Sequence, residues 1–187
     1  NIDLDEAKPL IAQYLGSLPA TGRKETFRDN HMDIAKGNLE NIYAKEQQTP
    51  MATIFMLYSG TCQYNLKNQL LMSFLTQALD MIYTEEIREK EGGTYGVSCY
   101  GGLTKYPKEE EMMQIVYQTD PDKMEHLNAI IDRELQKVAA QGPTDEQMSK
   151  IKEYMLKKHA DNQKENSYWL NNLDEYFYTG LDLTKDY

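Results

Sequence analysis

Residues 94–119 read TYGVSCYGGLTKYPKEEEMMQIVYQT. Two runs of strand composition, 94–100 and 112–119, flank a polar segment with a glycine pair, 101–111. β-branched and aromatic residues on both sides of turn residues are the mark of a hairpin. Upstream, Leu66, Leu70, Leu71, Phe74, Leu75, Ala78 and Ile82 recur at helical spacing and predict an amphipathic helix over about 64–88. Before that helix, the alternating stretch 39–44 and the β-rich run 52–58 predict two strands joined by a turn at 47–50. Of the two, 52–58 is expected to be the more buried. A first helix is predicted over 3–15, with Gly16 as a left-handed stop, followed by a polar loop over 17–33.

Downstream of the hairpin, Pro121 suits a first helical turn, and the apolar set Met124, Leu127, Ile130, Ile131, Leu135 and Val138 predicts a helix that stops before Gly142 and Pro143. Thr144 and Gln147 form a capping-box sequence that starts a further helix through about His159, and Ser167 is the expected cap of a last short one. Hairpin-linked strands between helices favour an α+β fold, an antiparallel-rich β-sheet packed against helices, over a doubly wound parallel sheet. The chain of 187 residues suits a single domain, 1–187, and that length buries roughly two thirds of the unfolded surface.

With 20 Lys and Arg against 30 Asp and Glu, the net charge is -10, which repels phosphate backbones and leaves no footprint for nucleic acid. The apolar run 51–60 is far shorter than the ~20 residues of a membrane span. Cys62 and Cys99 are too few for a disulfide scaffold or a thiolate zinc site, and whether they pair stays open. His31, His126 and His159 lack the spacing that puts two imidazoles on one helix face. Asp122-Lys-Met-Glu125-His126 resembles the inverted zinc motif H-x-x-E-H with aspartate in place of the first histidine, but acidic residues at a helix start are explained by the helix dipole. No nucleophile elbow, phosphate loop or dinucleotide fingerprint occurs. The expectation is no metal ligand and no catalytic residue in this chain. Glu109, Glu110 and Glu111 read as a solvated hairpin tip, and Tyr154, Trp169, Tyr176, Phe177 and Tyr178 as packing residues.

One segment stands apart, IREKEGGTYG at 87–96, in which Arg88 ends a long helix and Tyr95 follows a glycine pair, seven residues on. By composition alone Arg88 could complement a helix C-terminus or pair with Glu85, and Tyr95 could be a strand aromatic. With the opening NIDLDEAKPLIAQYLGSLP, the TDP and QGPTDEQMSKIKE blocks and ENSYWLNNL, however, IREKEGGTYGVSCYGG resembles the M16 family of zinc metallopeptidases. That is the pitrilysin, insulin-degrading enzyme and mitochondrial processing peptidase group.

The resemblance is to the family's C-terminal, non-catalytic half, of LuxS/MPP-like metallohydrolase fold. It implies that zinc is held by H-x-x-E-H in a partner N-terminal half, and that Arg88 and Tyr95 bind peptide substrate in an active site completed from the other side. A tyrosine hydroxyl donating to the scissile carbonyl follows oxyanion-hole logic, and an arginine adds fixed charge and forked donors. Gly92 and Gly93 are expected to let the backbone turn or approach substrate, Gly96 to keep the next strand slim, and that strand's edge to accept extended substrate. The apolar strand that opens the family's complete domain is not found ahead of the first helix, so an incomplete copy is expected, part of a longer polypeptide. The resemblance implies a domain of a zinc endopeptidase acting on peptides or unfolded proteins, in the periplasm or cell envelope if bacterial. Its alternatives are a scaffold protein of the same fold without peptidase activity and a freestanding peptide-binding module.

Overall fold

The hairpin forms and organises what surrounds it. In the computed structural model, which describes residues 2–24 and 26–182, β1 (Ala52–Thr61) and β2 (Val97–Thr104) each pair antiparallel with β3 (Glu110–Thr119). The order is β1-β3-β2, with β3 in the centre. The hairpin is tighter than its composition predicts, because Gly101 and Gly102 stay in register with Met113 and Met112 instead of opening the turn. A Cβ on Gly101 would lie 2.5 Å from Met72 Sδ and 2.8 Å from Thr76 Cγ2, so glycine lets a helix press onto the strand there. That helix is α2 (Leu66–Tyr83), capped by Asn65, whose side chain accepts from the Asn68 amide at 2.9 Å.

One face of the sheet is buried in rows. Ile54, Tyr117 and Val97 lie side by side across the strands, and Met56, Ile115 and Cys99 form the next row. Leu79, Ile82 and Tyr83 of α2, with Leu127 and Ile131 of α3 (Met124–Gln141), complete this core. Each such side chain contributes about 1.5–3 kcal/mol when fully buried. A single 3-10 turn, Pro121–Lys123, leads into α3, and Gly142 at φ 72 ends it. In α4 (Asp145–Asn162) the expected capping box is complete: Thr144 Oγ1 accepts from the Gln147 amide at 3.2 Å, and Gln147 Oε1 accepts from the Thr144 amide at 2.9 Å. The last helix, α5 (Asn166–Thr179), ends on left-handed Gly180.

Four expectations fail on local or tertiary grounds. Residues 39–44 form no strand and are exposed throughout. Gly16 is not left-handed; the first helix ends through right-handed Leu15. Glu165, not Ser167, is the N-cap residue of α5, and it makes no side-chain cap. The aromatic residues Tyr154, Trp169, Tyr176, Phe177 and Tyr178 are exposed and not packed in a core. In α5 the buried positions are Asn172 and Thr179.

The chain divides into two compact units, Asn1–His31 and Met32–Tyr187. The first contains α1 (Leu4–Tyr14), whose cap Asp3 accepts from the Asp5 amide at 2.8 Å; Asn1, where the opening block begins, and Glu25, inside the expected loop, lie outside the described residues. The strands, α2 to α5 and the core described above belong to the second. The fold class is α+β, an antiparallel sheet packed against helices. Among the described residues, no helix is long and apolar enough to cross a membrane.

Candidate functional site

Beyond Tyr83, α2 widens into a π-helical stretch, Thr84–Lys90. A π-turn adds a residue to the turn and so re-aims the side chains that follow, a distortion frequent at functional sites. Ile87 within it is fully buried, while Arg88 is exposed. The chain then reverses at Gly92, whose φ of 55 is the left-handed region that glycine enters without Cβ strain. The Gly93 amide donates to the Ile87 carbonyl at 3.1 Å and closes the loop. A Cβ on Gly93 would lie 2.7 Å from Leu127 Cδ1, and Leu127 is fully buried in α3. The glycine pair thus has two separate reasons, a reversal and a close approach.

Two threonines and a glutamate–histidine contact brace this loop. Thr119 Oγ1 donates to the Gly93 carbonyl at 2.6 Å. Thr94 Oγ1 donates to the Gln118 carbonyl at 2.5 Å and accepts from the Gly96 amide at 3.2 Å. Glu91 Oε2 lies 3.0 Å from His126 Nε2 and ties the loop's start to α3. Sequence reasoning singled out none of these four residues for this role, because the contacts Thr94–Gln118, Thr119–Gly93 and Glu91–His126 join residues distant in sequence; the glycine pair was their one visible trace.

Arg88 and Tyr95 both branch from this closed loop, one residue after Ile87 and two after Gly93. Glu85 is not Arg88's partner: Lys90 Nζ pairs with Glu85 at 3.0 Å and with Glu86 at 2.6 Å, and Arg133 reaches Glu86 at 3.7 Å. Tyr95 precedes β2 instead of lying in it and is 100% exposed. Among the described residues neither side chain has a hydrogen-bond or ion-pair partner. The surroundings hold a braced backbone with a free guanidinium and a free phenol on it, five forked donors and one hydroxyl available to carbonyl oxygens.

Other expectations for this region change. A Cβ on Gly96 would meet nothing within 4 Å, so no close approach requires glycine there. The β2 edge is partly used up, since Asp80 Oδ1 accepts from the Cys99 amide at 2.7 Å, and burial holds that carboxyl above its usual range. Cys62 and Cys99 are both free thiols, and burial pushes Cys99 up to about 12. As for zinc, His126 is engaged by Glu91, and among the described residues no three His, Cys, Asp or Glu side chains converge as a metal site requires. Among the described residues, the donor set does not fit the metal that the resemblance implies for the intact enzyme. Glu110 and Glu111 open β3, leaving Glu109 alone of the acidic run in the turn.

The family model described as peptidase M16 inactive domain matches residues 1–155. Among solved structures, the periplasmic protease PqqL from Escherichia coli superposes with a TM-score of 0.67 and 19% identity, covering 96% of this chain and 20% of that one. A ferredoxin protease, FusC, solved as a mutant in complex with Arabidopsis ferredoxin, gives a TM-score of 0.59 and 12% identity over 71% of this chain and 15% of that one. At such identities the likeness is one of fold, and the chain spans a fifth or less of the length of these two structures. No curated protein matches the chain.

Proposed function

Because the chain belongs to the peptidase M16 inactive-domain family, we propose that it is the substrate-binding, non-catalytic domain of a zinc-dependent endopeptidase, with Arg88 and Tyr95 as its substrate contacts. The observation that carries the reading is the pair of unpartnered side chains on a loop braced from three directions. A side chain with no partner among the described residues, on a backbone held by hydrogen bonds, suits contact with a ligand. Peptide carbonyls suit both groups. Arg88 would donate its guanidinium N–H groups to substrate backbone carbonyls. Tyr95 would donate to an oxygen on which negative charge develops, a contact stronger in the transition state than in the bound substrate.

The remaining pieces of the reading lie outside this chain. The zinc would be held by a companion N-terminal half of the same polypeptide or by a partner subunit, with peptides or unfolded proteins as substrate and the periplasm or cell envelope as compartment. The test is peptide hydrolysis by the full-length protein. Tyr95→Phe should lower kcat by roughly a hundredfold with KM little changed, and Arg88→Ala should raise KM as well. Kinetics unchanged in both variants would reject the arm, and absence of any zinc-dependent cleavage by the intact protein would leave a scaffold role in its place.

A further inference from the structure

The acidic run that looked like a solvated tip borders a groove of about 910 Å³ between residues 33–39 and the second half of β1. Ile34, Leu39, Phe55 and Leu57 form its apolar wall, and Glu109 and Glu110 stand at one end. Phe55 and Leu57 are 64% and 52% exposed because the strand alternation turns Ile54 and Met56 to the core and these two away from it. β1 is an edge strand, and among the described residues its backbone has no partner on the side away from β3. The charges are unequal. Asp33 and Lys108 pair with each other, which leaves Lys36 against Glu109 and Glu110, and Glu111 Oε1 adds a third carboxylate near Gly60.

We propose that this groove binds an extended apolar peptide segment that ends in lysine or arginine. The free edge of β1 supplies main-chain hydrogen bonds, Phe55 and Leu57 take alternate apolar side chains, and the carboxylates of Glu109 and Glu110 take the cation. The proposal rests on reading the chain as a substrate-binding domain. Its residues are nevertheless separate from the arm: Gly60 and Thr61 pair with Glu111 and Glu110 at one end of the sheet, while Thr119, which braces Gly93, pairs with Ala52 at the other.

The experiment is fluorescence anisotropy on the full-length protein with two fluorescein-labelled peptides that share an apolar core and end either in arginines or in aspartates. Glu109→Lys with Glu110→Lys should weaken the arginine peptide by roughly tenfold and strengthen the aspartate peptide, and the milder Glu109→Gln with Glu110→Gln should weaken the arginine peptide by about threefold. An equal change of net charge at exposed sites on other helices, Glu153→Lys with Asp174→Lys, should move neither peptide by more than about twofold. Phe55→Ser with Leu57→Ser should weaken both. A charge swap no larger than the control, or full binding after loss of Phe55 and Leu57, overturns the proposal. So does tight association of the companion half or a second copy through Phe55 and Leu57 that no peptide displaces. Because the groove and the arm lie at opposite ends of the sheet, a failed charge swap rejects the groove alone, and an unchanged kcat in the Tyr95→Phe enzyme rejects the arm alone.

Discussion

Thr119 Oγ1 donates to the Gly93 carbonyl at 2.6 Å, joining the last residue of β3 to the loop that carries Tyr95. The hydroxyl is 5% exposed as a residue and its partner glycine is buried, so water cannot easily replace the bond. Through it the central strand of the sheet sets the position of an exposed phenol.

Thr119→Val keeps the shape and removes the donor. It should cost about 1–3 kcal/mol, the Gly93 carbonyl being left buried without this partner. Hydrogen exchange should speed up at the amides of 93–96 more than in α4. Uniform changes across the chain would contradict the local brace.

Gly93→Ala and Gly96→Ala should behave differently although three residues apart. At Gly93 the new methyl would sit 2.7 and 2.9 Å from the two Leu127 methyls, and overpacking against a fully buried leucine costs about 1–3 kcal/mol. At Gly96 it would meet nothing within 4 Å, so stability should stay within about 0.5 kcal/mol. Urea denaturation of the two variants decides it, and equal midpoints would be the contrary result.

Arg88→Ala and Tyr95→Phe should leave stability within about 0.5 kcal/mol of the parent, since among the described residues neither side chain has a hydrogen-bond or ion-pair partner. A thermal melt lowered by several degrees in either variant would mark the residue as structural and weaken the functional reading.

Cys99 links stability to alkaline pH. Its folded thiol is pushed up to about 12 by burial, first of all, and by Asp80, from an ordinary 9.0. Between those values the folded chain keeps a proton that the unfolded chain releases, so the stabilisation is whole below pH 9 and is lost as pH rises toward 12. The full effect is a slope of about 1.4 kcal/mol per pH unit. Urea midpoints measured from about pH 8 to pH 10.5 should fall more steeply in the parent than in Cys99→Ala. Parallel curves would show that the thiol titrates alike in both states.

Sequence alone determined what depends on neighbours along the chain. Thr144 and Gln147 are three residues apart and satisfy each other's backbone, so the start of α4 was legible before any tertiary contact. The composition of 94–119 sufficed for the hairpin, and Gly142 for the end of α3. The pair Arg88 and Tyr95 was singled out by the family resemblance, but that Glu85 would not be Arg88's partner was not visible, because Lys90 takes Glu85 and Glu86 in the fold. Tertiary structure decided the rest. Residues 39–44 stay out of the sheet, and whether the α5 aromatics would be buried was settled by which face the helix turned outward. The brace at Gly93 joins residues 87, 119 and 127. Contacts across such separations are selected by the packing of the whole core, not by the propensity of any segment, and that is why the loop that presents Arg88 and Tyr95 could be located in the sequence while its rigidity could not.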